Sequence, residues 1–151
     1  IPVENIKSKN HQKEKDVCIA NEILWQKQHW KSICSAYKPS PYFEFYEKDL
    51  EPFYEKKAIH LMAFNLKILL KIMELIQAQL NYEFVEWDEN KHHRMDFLIN
   101  AKKNLGLKAK PYTQVFENKS GFLDNLSILD VVFNLGPKSS NYLKNQKVIF
   151  P

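Results

Sequence analysis

Residues 58–81 read AIHLMAFNLKILLKIMELIQAQLN, and this stretch decides the fold. Its polar positions His60, Lys67, Lys71 and Glu74 fall seven, four and three residues apart. That spacing lines them up as one stripe of an α-helix. Nearly everything between them is apolar, and so narrow a polar stripe predicts a long buried central helix. The same charges exclude a bilayer span, which needs about 18 uncharged apolar residues in a row.

Working outward, residues 23–37 predict a second helix. Trp30, Ile33, Cys34 and Tyr37 share one face at helical spacing, and Trp25, His29, Ser32 and Ala36 form the face beside it. Pro39 stops that helix. Ser40 and Pro41 suit the cap and first position of the next one. An aromatic run follows at 42–46, and Asp49 with Pro52 marks a further helix start. On the N-terminal side, 16–20 reads as a short strand, 1–3 as a strand end and 7–15 as a polar loop. Downstream, the alternation over 82–87 predicts a strand, 88–94 a loop, and 95–105 a helix ended by Gly106. Residues 111–116 read as a strand with a turn at Gly121. Residues 126–135 read as a helix with Ser127 and Asp130 at capping-box spacing and Gly136-Pro137 as its stop. A last short helix fits 139–145. The expected fold class is α+β, helix-dominated, with a few short strands, as a single domain over 1–151.

Scarcity narrows the function. Gly106, Gly121 and Gly136 are the only glycines among 151 residues. They leave no dinucleotide loop, no phosphate loop and no nucleophile elbow. Cys18 and Cys34 supply neither a disulfide framework nor a cysteine zinc site. Both sit in apolar contexts, read as small core residues, and suit a reducing cytoplasm. The net charge is +4, but Arg94 is the single arginine and the lysines are interleaved with glutamates. That pattern describes a solvated surface and not a nucleic-acid site. No signal peptide pattern opens the chain. It starts Ile1-Pro2-Val3, without methionine, and reads as a fragment. Nothing in the composition points to a cofactor or an oligomeric state.

Candidate chemistry centres on His29, one helical turn after Trp25. An imidazole there can serve as general base, with Asp16 orienting it if the 16–20 strand packs on the helix. The plainer reading is a helix histidine packed on an indole. Tyr37 and Tyr42 flank the Lys38-Pro39-Ser40-Pro41 corner and could wall a sugar site, though aromatics at such spacing also serve as core. Asp130 reads equally as a catalytic carboxylate and as a cap partner. His92-His93 in a polar loop is a poor metal site, and no metal is expected.

Two blocks carry a family resemblance. The first runs Asp16-Val17-x-Ile19, Trp25-x-x-x-His29-Trp30-x-x-Ile33-x-x-Ala36-Tyr37-x-x-Ser40-Pro41-Tyr42-Phe43. The second runs Tyr112-Thr113-Gln114-Val115-Phe116, Gly121-Phe122, Asn125 to Asp130 and Asn134-Leu135-Gly136-Pro137. Together they resemble the WbqC-like family, with its earlier N-terminal segment outside this chain. The resemblance implies a role in bacterial O-antigen or related surface polysaccharide synthesis, as a transferase of an acyl or aminoacyl (glycine) group to a sugar or sugar nucleotide. The alternative it implies is a non-catalytic protein that binds a glycan or partner. Under it, His29, Asp16 and Asp130 are the catalytic candidates. Trp25, Tyr37, Tyr42, Tyr112 and Gln114 are the substrate-binding ones. One departure stands out: Asp96 is followed by Phe97-Leu98, with no arginine where members often carry one.

Overall fold

The computed structural model describes residues 1–4, 13–86, 88–92 and 109–146. The expected helix at 95–105, Gly106, Asp96, His93, Arg94, Trp87 and most of the 7–15 loop lie outside these. Seven α-helices are formed within the described residues: α1 Trp25–Tyr37, α2 Phe43–Leu50, α3 Pro52–Glu55, α4 Leu61–Leu75, α5 Glu117–Ser120, α6 Ile128–Leu135 and α7 Ser139–Lys144. Short 3-10 turns lie at Glu14–Asp16, ahead of α1, and at Gly136–Lys138, between α6 and α7. No described helix is long and apolar enough to cross a membrane.

The expected α+β class is corrected by this structure. Among the described residues no strand forms. Only two isolated antiparallel bridges occur, Val3 to Ile19 and Cys18 to His60. The β-branched run at 16–20 finds one bridging residue on each side and no extended partner. Its first residue is already in the 3-10 turn. Of the segments expected as strands at 82–87 and 111–116, the described residues pair with no other described residue in a ladder. Tyr82, Phe84 and Val85 are exposed. An alternating pattern makes a strand only where a second edge accepts its hydrogen bonds.

Two apolar clusters form the core. Phe43, Leu50, Ile72, Ile76, Val132 and Phe133 make the larger one, and Trp30, Ile33, Cys34 and Tyr37 pack against it as their helical spacing predicts. Ile19, Trp25 and Phe64 make the smaller one. Helix α4 spans both through Phe64, Ile68 and Ile72, which lie four residues apart on one face. The expected long buried central helix is therefore also corrected. Helix α4 buries only that face, and Leu69 is 45% and Leu70 36% exposed. Lys71 ties α4 to α2 through Asp49 at 3.8 Å and pairs with Glu74 at 2.8 Å.

Helix α4 also ends earlier than its pattern. Gln77 adopts φ 54, Gln77 N–H donates to the Glu74 carbonyl and Ala78 N–H to the Met73 carbonyl. This is the paired hydrogen bonding of a helix closed by a left-handed residue, here without glycine. At the α1–α2 corner, Ser40 does not cap α2. Its hydroxyl donates to the Tyr37 carbonyl at 2.5 Å and holds the end of α1. Ser127 does cap α6, accepting from Leu129 N–H. Gly136 then ends that helix with φ 52, directly under the Tyr42 ring.

Candidate functional site

The sequence-derived candidates separate into two places, and the structure shows a third. His29 is exposed on the first turns of α1, and its ring meets the Trp25 indole edge-on at 5.3 Å. Trp25 itself is 2% exposed and belongs to the smaller core cluster. Tyr37 stands eight residues after His29, about 12 Å along the helix at 1.5 Å per residue. Asp16 is exposed in its 3-10 turn. Tyr42 packs over Gly136, and its N–H donates to the Phe133 carbonyl, so it locks the corner to the end of α6.

Asp130 is the hub of a second place. Its side chain is buried, and it accepts from the Tyr112 hydroxyl at 2.7 Å and from Asn134 Nδ2 at 3.3 Å. The Tyr37 hydroxyl feels its charge. Burial, and then the Asp130 charge, pushes the Tyr37 hydroxyl up to about 12. Tyr112 is raised as well, by burial first and by the Asp130 hydrogen bond and charge, with Gln114 acting in the opposite direction. The carboxylate thus works across elements and does not turn back to cap α6. Gln114 is buried and spends its amide on one backbone. Its Nε2 donates to the Leu123 carbonyl at 2.8 Å, and its Oε1 accepts from Leu123 N–H at 2.9 Å. That is a loop staple. The structure brings Tyr37, Tyr112 and Asp130 together, and it brings neither His29 nor Asp16 to them.

The third place was not singled out by the sequence. Ile19 N–H donates to the Ile59 carbonyl at 2.8 Å and Leu61 N–H to the Val17 carbonyl at 2.9 Å. These bonds flank Cys18 and His60, which makes the two a non-hydrogen-bonded antiparallel pair. Such pairs hold their side chains close together on one face. Ile19 points into the core at 1% exposure, so its neighbour Cys18 points the other way. Cys18 Sγ lies 4.0 Å from His60 Nδ1 and 3.7 Å from the Asp16 carbonyl, and its single S–H can turn to either. Cys18 is therefore not the small core residue its apolar context suggests. Cys34 is different. It packs against the larger cluster, and burial, followed by Glu47 and Glu51, pushes its thiol up.

His60 also lines a cavity of about 460 Å³ between α3 and the start of α4. Its floor is apolar, including Phe53, Ala58 and Phe64, and its polar lining is His60 with Lys56, Lys57 and Lys67. Among the described residues no carboxylate lines it. The buried Gln26 of α1 fixes the wall by donating its amide to the Phe53 and Lys56 carbonyls. In the first turn of α4, Met62 and Ala63 N–H have no helical carbonyl to reach, and the His60 side chain caps neither. Two buried polar atoms lack a partner among the described residues, Asn21 Oδ1 and Trp25 Nε1. Both belong to residues that touch the cavity wall, Asn21 through the Ala58 carbonyl at 2.8 Å and Trp25 through the Phe64 ring at 5.5 Å. A cationic rim over an apolar floor, beside a helix start that no side chain caps, suits a phosphate-bearing ligand with a ring or chain attached.

The sequence offered one signal for this place. Between Glu55 and Glu74 no acidic residue occurs, while Lys56, Lys57, His60, Lys67 and Lys71 do. Reading His60 and Lys67 only as the polar stripe of a helix hid it. Residues outside this cavity do not make a metal centre either: no group of three His, Cys, Asp or Glu side chains that could hold a metal is found among the described residues. Compared with known families, residues 1–109 match the WbqC-like protein family. No curated protein and no solved structure matches the chain. The matched residues include Cys18, His60 and the whole cavity, whereas Tyr112, Gln114 and Asp130 lie beyond them.

Proposed function

The chain belongs to the WbqC-like protein family, and on that premise we propose that it transfers an acyl or aminoacyl group to a sugar nucleotide in bacterial surface polysaccharide synthesis. The observation that carries this reading is the cavity at the start of α4, with three lysines, one imidazole and no carboxylate among the described residues of its lining. The chain has no glycine-rich phosphate loop, so side chains and a helix N-terminus must hold any phosphates. This cavity supplies both. Phe53 and Phe64 offer apolar surface for the base or sugar ring. His60, at the rim, takes the proton from the attacking amine or hydroxyl of the acceptor. His29 then has no acceptor to serve at Asp130, and its contact is the Trp25 indole. Asp130, Tyr37 and Tyr112 hold the C-terminal helices in place.

Calorimetric titration with uridine diphosphate N-acetylglucosamine tests this. Saturable binding is expected, weakened about ten-fold by each of Lys56→Gln and Lys67→Gln, since a hydrogen bond to a charged group contributes roughly 1.5 kcal/mol or more. Absence of binding, or binding indifferent to both substitutions, overturns the reading.

A second reading, non-catalytic binding of a glycan, is favoured by a separate cleft of about 420 Å³. There Tyr112 and Tyr142 meet edge to face at 5.0 Å beside Asn141, Asn145 and Lys138. Aromatic edges with amides suit sugar hydroxyls. Loss of oligosaccharide binding in Tyr142→Ala, with the lysine variants unaffected, would favour it over the first.

A further inference from the structure

We infer that Cys18 is a nucleophile that carries the acyl group as a thioester, loaded from an acyl thioester donor with His60 as its base. This rests on the transferase reading and adds its donor side. Four observations converge on it. The flanking backbone bonds fix Cys18 and His60 as direct partners on one face. Sγ and Nδ1 stand 4.0 Å apart, within reach of a hydrogen bond to sulfur. Both side chains lie outside the core, Cys18 half-buried and His60 exposed. His60 also lines the cavity assigned above to the acceptor. One imidazole therefore stands between the thiol and the place where an acceptor binds.

The chemistry balances with the groups named. His60 Nδ1 takes the Cys18 proton, and the sulfur attacks the donor carbonyl carbon. The carbonyl collapses by breaking its bond to the donor sulfur, and the donor thiol leaves with the proton from the imidazolium. The products are acyl-Cys18 and a free thiol, a near-balanced exchange of one thioester for another. In the second half, an acceptor amine or hydroxyl attacks acyl-Cys18 while His60 takes its proton. That proton returns to the departing Cys18 sulfur. No oxidant, metal or nucleotide hydrolysis enters either half.

The chain carries its own control, because Cys34 is a second thiol set against the larger core cluster with Glu47 and Glu51 acting on it. The test incubates the full chain with the acetyl thioester of N-acetylcysteamine, a donor without phosphate, and follows intact mass and peptide maps. The expected result is one acetyl group, on Cys18 and not on Cys34, lost in Cys18→Ala. His60→Gln should load about a hundred-fold more slowly, the low end of general-base effects, with an unchanged circular dichroism spectrum. Equal labelling of both cysteines, no labelling, or a wild-type loading rate in His60→Gln each overturns the inference. Because this donor has no phosphate, its loading is independent of the lysines. A chain that binds the sugar nucleotide but does not load refutes Cys18 alone. A chain that loads but does not bind the sugar nucleotide refutes the acceptor reading.

Discussion

Replacing Asp130 by alanine leaves the Tyr112 hydroxyl without its acceptor. Asp130 is 3% exposed and receives the Tyr112 hydroxyl at 2.7 Å and Asn134 Nδ2 at 3.3 Å. A hydrogen bond to a charged group contributes roughly 1.5–3 kcal/mol. Tyr112 is half-buried, so water partly replaces the lost acceptor and the lower end applies. Asn134 keeps the Asp130 backbone carbonyl at 2.8 Å and loses little. The expected loss is therefore about 2 kcal/mol, read by urea unfolding at constant m-value. Tyr112→Phe alone should cost about 1.5 kcal/mol. The double variant should fall short of the sum by a similar amount, because one bond is removed twice. In Asp130→Asn the Tyr37 hydroxyl should titrate below about 12 yet above its ordinary value, since burial is the larger cause. A loss under about 1 kcal/mol in Asp130→Ala, or strict additivity in the double variant, would refute the reasoning.

Three further outcomes follow from the same geometry. Gly136→Ala combines a φ of 52 with a Cβ only 2.5 Å from the Tyr42 ring, and should destabilise by about 3 kcal/mol in urea unfolding. Adding Tyr42→Ala should relieve only the clash. Gln77→Gly should stabilise by about 1 kcal/mol in the same assay, because Gln77 holds φ 54 at the end of α4. The Tyr37 contribution to stability should be level below pH 10 and fall as the pH rises from 10 towards about 12. The unfolded chain gives up the Tyr37 proton near 10.0, while the folded chain keeps it to about 12. Tyr112, raised in the same sense, adds to that fall.

What could be read from the sequence was local. The face Trp30, Ile33, Cys34 and Tyr37, the stop at Pro39, Pro52 at a helix start, Ser127 as a cap and Gly136 as a stop all depend on residues a turn or two apart. What could not be read was pairing. The β-branched run at 16–20 looks the same whether it meets a sheet or single bridges, and it meets bridges. The end of α4 was misplaced because a glutamine, and no glycine, takes the left-handed position. The width of the exposed face of α4 depends on which elements pack against it, which its own pattern does not encode.

The site divides in the same way. Asp130 was equally a cap partner or a carboxylate with another task, and only the fold shows that it meets Tyr112 across 18 residues of chain. Gln114 looked like a substrate ligand because a polar side chain in a motif has no local explanation. Its explanation is the Leu123 backbone. Cys18 and His60 are 42 residues apart and meet through one bridge, so neither carried a local mark.

The most direct test of the account is the transfer itself. The full chain is incubated with an acyl thioester and a panel of amino sugar nucleotides, and the nucleotides are weighed by mass spectrometry. The account predicts that one of them gains an acyl group with the native chain and does not with Cys18→Ala or His60→Gln. Sugar nucleotides that stay unmodified throughout, or that are acylated equally by both variants, would contradict it.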